Sequence, residues 1–201
     1  MTLLLFARER LALLAVPKTG STAWAAALGP RADMVMRAPP PLKHMTLRRF
    51  RNRLLPLLEQ AGVTDVETVA VVRQPEDWLG SWYRYRARPA LNGRDTSTLG
   101  ISFDDFVNAY LGTDRPAYAR LGSQARFVAP AKDGRKVDHL FRYEDQERLV
   151  EFMQARLGVP VDLPRRNASR PAALDLSEAT RARLRRQRSE DFALYEELAV
   201  S

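Results

Sequence analysis

Cysteine is absent from this chain, histidine occurs only as His44 and His139, and lysine only as Lys18, Lys43, Lys132 and Lys136. The first absence excludes disulfides, thiolate nucleophiles and cysteine zinc sites, and the second excludes a histidine-rich metal centre. With so few lysines, the formal net charge of +8 is carried almost wholly by arginine. Such a surplus suits bidentate anion binding, but it also follows from a GC-rich coding bias. Long apolar runs are missing as well. The N-terminal stretch MTLLLFARERLALLAV is broken by Arg8, Glu9 and Arg10, so it reads as neither a signal peptide nor a membrane span, and a cytoplasmic protein is expected. There are no repeats and no low-complexity segment. A chain of 201 residues, 45% hydrophobic and without a linker, is long enough for one domain spanning 1–201.

What the chain does contain is concentrated in Leu11 to Trp24, LALLAVPKTGSTAW. An apolar run too short for a surface helix stops at Pro17, and helix formers resume at Ala23. The turn between them places backbone N–H groups at a helix N-terminus, where unpaired donors and the helix dipole attract oxyanions. Gly20 permits close approach of the backbone, while Lys18, Thr19, Ser21 and Thr22 can add charge and hydroxyl donors. The lesser reading of the stretch alone is an ordinary strand-to-helix turn. It is not the GxxxxGK[ST] loop of Mg-ATP enzymes, because the lysine precedes the single glycine and the first glycine of that motif has no counterpart. A second stretch, ETVAVVRQPEDWLGSWYRYR, repeats the arrangement: a β-branched strand over 67–73 ends at Arg73, and Pro75 suits the first turn of a helix. An arginine fork there can grip a terminal phosphate, and Ser81 can supply one more donor. Separately, Arg73 reads as a surface ion-pair partner and Ser81 as a neutral helix residue.

Together the two stretches resemble the sulfotransferases that use 3′-phosphoadenosine 5′-phosphosulfate (PAPS). PKTGST is similar to the 5′-phosphosulfate loop, which assigns Pro17, Lys18, Thr19, Gly20, Ser21 and Thr22 to the cofactor. Arg73, Pro75 and Ser81 match the spacing of the 3′-phosphate motif. Two weaker likenesses follow in order. DHLFRYED, ending in Tyr143, Glu144 and Asp145, resembles the strand and acidic helix start of many members, though alone it indicates only a capped helix. LPRRNAS, from Leu163 to Ser169, resembles a stretch of carbohydrate and related bacterial members, and makes Arg166, Asn167 and Arg170 candidates for the remaining nucleotide contacts. In a secreted protein Asn167 to Ser169 would instead be a glycosylation sequon. No counterpart of the glycine-rich C-terminal loop of the cytosolic small-molecule members is present, nor the leading membrane anchor of the Golgi members.

The resemblance implies a P-loop NTPase-like α/β fold, three-layered around a central parallel sheet. The coarse pattern agrees with α/β alternation: strands near 11–16, 67–73, 126–129 and 138–143, and helices near 21–28, 46–61, 75–87, 103–111, 145–157 and 177–198. Pro56 should kink or divide the second helix. Ser102 with Asp105 forms a shortened capping box, and Gly158 is a C-terminal stop. The polar stretch Arg88 to Gly100 is a candidate substrate-side loop or lid. Arg181 to Arg188, RARLRRQR, could grip nucleic acid or an acidic saccharide; without interleaved aromatics it reads as a solvated helix face, and no nucleic-acid partner is expected.

The expected chemistry is transfer of a sulfuryl group from PAPS, without a metal, to a hydroxyl or amine acceptor, a saccharide slightly favoured. Lys18 is the candidate catalytic cation for the departing 5′-phosphate. His44, in LKHMTLRRF, is the candidate general base, the competing role being a cap on the helix that begins near Thr46. His139, inside a predicted strand, reads as a core or structural residue, and Asp33 or Glu144 are the carboxylate alternatives to His44. Two other readings stand beside this one. A nucleotide or phosphometabolite kinase would require Mg²⁺ and an acidic ligand for it, and a non-catalytic nucleotide- or nucleic-acid-binding protein would require neither. The oligomeric state is left open.

Overall fold

The computed structural model describes residues 2–163 and 174–198. In chain order, the strands are β1 (Leu3–Phe6), β2 (Leu11–Leu13), β3 (Met34–Met36), β4 (Glu67–Val72) and β5 (His139–Arg142). Helices α1 (Ser21–Leu28), α2 (Pro40–Lys43), α3 (Leu47–Arg49) and α4 (Leu55–Gln60) lie between β2 and β4. Helices α5 (Pro75–Arg86), α6 (Phe103–Leu111) and α7 (Gln124–Phe127) precede β5. After it come α8 (Gln146–Leu157), α9 (Glu178–Gln187) and α10 (Ser189–Glu197). The sequence reads as one undivided domain; by its contacts the chain forms two compact units, which among the described residues comprise 2–73 with 124–163, and 74–123 with 174–198.

The first unit holds a five-stranded sheet in the order β3-β1-β2-β4-β5. β2 runs parallel to β4, and β4 parallel to β5, but β1 pairs antiparallel with both β2 and β3. The fold is therefore α/β with a mixed sheet, and the expected all-parallel sheet is corrected. The antiparallel half comes from β1 and β3, which the periodicity did not suggest, β1 pairing with the expected β2. LLLF and LAL flank a charged turn in which Arg10 takes a φ of 51°, which makes the N-terminal stretch a hairpin. The expected strand at 126–129 is also corrected. Gln124–Phe127 is a helical turn, since a short buried apolar run does not by itself distinguish strand from helix.

Alternation along the strands sends Leu4, Phe6, Leu11, Leu13, Val69 and Val71 to one face, where they form a core with Trp24 and Leu28 of α1 and Leu149 and Met153 of α8. Leu3, Leu5, Ala12, Ala70 and Val72 are buried on the other face. Thr68 lies on that face too, and its N–H and hydroxyl both donate to Asp138, at 2.6 and 2.7 Å. Arg51, 5% exposed, reaches the same carboxylate at 2.7 Å from the helix that leads to Gln60. That helix keeps the predicted span but not a uniform form. Pro56 has no N–H to donate and its ring crowds the preceding turn, and residues Phe50–Leu54 wind as a π-helix immediately before it.

The second unit is helical. Trp78, Leu79, Phe103, Phe106, Tyr110, Leu184 and Phe192 form its core. Ser102 caps α6 as expected, accepting from Asp105 N–H at 3.0 Å and donating to its carboxylate at 2.7 Å. The expected lid is anchored: Thr98, 1% exposed, donates to Tyr83 O at 2.8 Å, and Tyr83 donates to Ile101 O at 2.6 Å. The single helix expected over 177–198 is broken at Arg188, whose guanidinium stacks on Tyr110 at 4.7 Å. Arg181 pairs with Glu76, Arg183 donates to Asn108, and Arg185 lies over Phe192, so this basic run is largely engaged within its own unit. Among the described residues no helix is long and apolar enough to cross a membrane.

Because Asp138 neutralises a buried Arg51 and accepts from Thr68 at once, Asp138→Ala should cost about 3 kcal/mol, the scale for leaving a buried charge unpaired. Urea unfolding at unchanged m-value is the measurement.

Candidate phosphate-binding site

β2 ends at Leu13, and Leu14 to Val16 continue buried, with Leu14 N–H donating to Val69 O at 2.8 Å and Val16 N–H to Leu14 O at 3.2 Å. The apolar run thus delivers Pro17 to the end of the sheet. Lys18 and Gly20 then both take left-handed conformations, with φ of 68° and 76°. For glycine this is free of steric cost, whereas a side-chain-bearing residue such as Lys18 is strained there. Thr19, 2% exposed, donates its hydroxyl to Val16 O at 2.9 Å. Its proton therefore holds the loop in shape and is not directed at a ligand. Gly20 is the N-cap of α1, and no side chain caps that helix end. Ser21, in the first turn, has a buried hydroxyl with no hydrogen-bond partner among the described residues. Pro17, Lys18 and Thr22 are half-buried around it.

Arg73 follows the last residue of β4, and two contacts determine where it stands. Its guanidinium lies over the Tyr143 ring at 4.4 Å, and Tyr143 N–H donates to Val72 O at 2.7 Å. The same ring approaches the loop: a Cβ on Gly20 would lie 3.0 Å from Tyr143 Cε2. Tyr143 therefore touches both motifs and joins them. Arg73 Nε is buried without a hydrogen-bond partner among the described residues. A buried donor of this kind costs on the order of 1–3 kcal/mol unless something accepts from it.

His44 belongs to the same unit. Its Nδ1 lies 2.8 Å from Ala15 O, so Nδ1 carries the proton and donates, and Nε2 is left with its lone pair. Burial pushes the His44 pKa below 6.5, the Ala15 hydrogen bond opposing it in part and Lys43 adding to the depression. The competing role as a helix cap is taken by Thr46, whose hydroxyl accepts from Arg49 N–H at 3.3 Å. Asp33 is committed elsewhere, accepting from Ala7 N–H at 2.7 Å. His139 is structural rather than core: half-buried on β5, it lies 2.6 Å from Glu67, which also binds Arg156, and its ring packs on Phe152 at 4.6 Å. Asp145 stands at the start of α8 without a side-chain capping bond, so the acidic helix start is not a cap.

Ser81 is buried on α5, in the second unit. Arg166, Asn167 and Arg170 lie outside the described residues. One contributor escaped the sequence reading. Gln124, 2% exposed, accepts from Arg73 N–H at 2.8 Å and donates to Arg73 O at 2.7 Å. Glutamine in an apolar stretch carries no motif, and the only signal was its place beside Phe127 and Val128. The site as built offers a strained cationic loop at a helix N-terminus, an arginine braced on a tyrosine, and a neutral imidazole.

The strain at Lys18 is testable apart from any ligand. Lys18→Gly should be more stable than Lys18→Ala by about 1 kcal/mol, because both lose the charge and only glycine relieves the left-handed backbone. Paired thermal melts of the two variants measure this.

No family model matches the chain, and no curated protein and no solved structure matches it significantly.

Proposed function

We propose that this chain is a PAPS-dependent sulfotransferase of P-loop-like architecture, transferring to a hydroxyl or amine acceptor, a saccharide slightly favoured. The observation that carries the reading is that two buried polar atoms with no hydrogen-bond partner among the described residues, Ser21 Oγ and Arg73 Nε, fall one in each anion motif, beside residues that Tyr143 links. Trp24, Arg51, Trp82 and Arg188 have such atoms outside the motifs. Natural proteins rarely leave such atoms without a partner; both can donate, and an anion with two phosphate ends offers an acceptor to each. Gly20 lets the Tyr143 ring close against the loop, since a Cβ there would lie 3.0 Å from Tyr143 Cε2. The residues present thus fit the cofactor.

When bound, the cofactor would supply an activated sulfuryl group, with adenosine 3′,5′-bisphosphate as the leaving group. Lys18, with the N–H groups of Gly20 and α1, holds positive charge where the 5′-phosphate becomes more negative, and so favours the transition state over the ground state. Arg73 binds a terminal phosphate through charge-assisted bonds. His44 takes the acceptor proton at Nε2, while the Ala15 carbonyl keeps its tautomer and orientation. Since burial depresses its pKa, His44 is already unprotonated at neutral pH.

Adenosine 3′,5′-bisphosphate should stabilise the protein in metal-free buffer more than AMP or Mg-ATP does. At about 100 times its Kd the gain is about 2.7 kcal/mol, visible as a melting shift. Equal shifts with AMP would show that there is no 3′-phosphate site.

His44→Ala should bind the bisphosphate almost normally yet lose transfer by about 100-fold or more. In the wild type the rate should rise with pH along a limb centred below 6.5, and the variant should lack that limb. Transfer to a saccharide panel at saturating PAPS, followed from pH 5 upward, provides the profile; wild-type turnover in the variant would remove His44 as the base.

A further inference from the structure

The ladder between β4 and β5 ends at Val72, which is opposite Arg142. Arg73, the next residue, carries the guanidinium on which phosphate recognition rests, yet it lies beyond the last strand pair. A peptide unit in that position has an N–H and a C=O to satisfy, and without partners it is free to rotate. Both are taken by one side chain. The Gln124 carboxamide accepts from Arg73 N–H at 2.8 Å and donates to Arg73 O at 2.7 Å, as one more residue of a paired strand would. Gln124 is 2% exposed, so these bonds face little competition from water. Fixing both ends of a single residue fixes its Cα–Cβ direction, and the Tyr143 ring then constrains the guanidinium at 4.4 Å.

We propose that Gln124 is a positioning residue for Arg73, setting how strongly the site prefers a nucleotide with two phosphate ends over one with a single end. The proposal rests on the PAPS reading above. A glutamine that merely satisfied buried peptide groups would affect stability and leave this preference unchanged. A positioning residue alters the preference and acts only through Arg73.

The experiment titrates the full chain by calorimetry with adenosine 3′,5′-bisphosphate and with AMP, both in EDTA. Gln124→Leu should lower affinity for the bisphosphate about tenfold, the scale for misplacing a binding group by a fraction of an ångström, and leave AMP within about twofold. Gln124→Glu keeps the acceptor for Arg73 N–H but loses the donor to Arg73 O, and should fall between; it also serves if Gln124→Leu does not fold. Added to Arg73→Ala, either substitution should change the ratio no further, since the group it positions is gone. A wild-type preference that persists in the folded Gln124 variants, or that falls additively in the double variants, overturns the positioning role alone. A wild type that binds the two nucleotides alike, or neither, overturns the PAPS reading and this inference with it.

Discussion

Everything proposed for the site depends on the parallel pairing of β2 with β4 and of β4 with β5, Leu11 to Leu13 against Glu67 to Val69 and Val69 to Val72 against His139 to Arg142. Parallel strands finish at the same edge of a sheet, so the segments leaving them are neighbours whatever their separation in sequence. Here those segments are the loop from Pro17, Arg73, and Tyr143. The antiparallel strands β1 and β3 contribute nothing to that edge chemically, but they extend the sheet on the side of β2. The buried leucines and Phe6 of β1 add apolar area beside β2.

Arginine content turns out to be a poor guide to partners. Arg51 and Arg156 neutralise Asp138 and Glu67. In the second unit Arg86 donates to Ala117 O, and Arg115 and Arg188 both lie over Tyr110. Much of the positive charge is therefore spent on internal carboxylates, carbonyls and rings, for which a planar, weakly hydrated guanidinium is well suited. Arg51, Arg73 and Arg188 each have a buried Nε without a hydrogen-bond partner among the described residues; of these, Arg73 stands just past the end of β4, with its peptide groups held by Gln124 and its guanidinium over Tyr143. His44 follows the same logic: one ring nitrogen is committed to Ala15 and the other is kept in reserve.

From the sequence alone came the pieces whose physics is local. Buried apolar runs marked β2 and β4, Gly20 and Pro75 marked where helices begin, Ser102 with Asp105 marked a cap, and Gly158, at φ 62°, marked a stop. The two candidate anion motifs were legible because each is a short stretch with a donor chemistry of its own. Only the tertiary structure decided that the sheet is mixed, that 126–129 is not a strand, and that Thr19 uses its hydroxyl to shape the loop. It alone joined Gly20 to Arg73 through Tyr143, set Gln124 on the Arg73 peptide, and chose the tautomer of His44. Propensity and periodicity act over a few residues, whereas these contacts span 29 residues from His44 to Ala15 and 51 from Arg73 to Gln124, and such pairings exist only once the sheet has brought distant segments together.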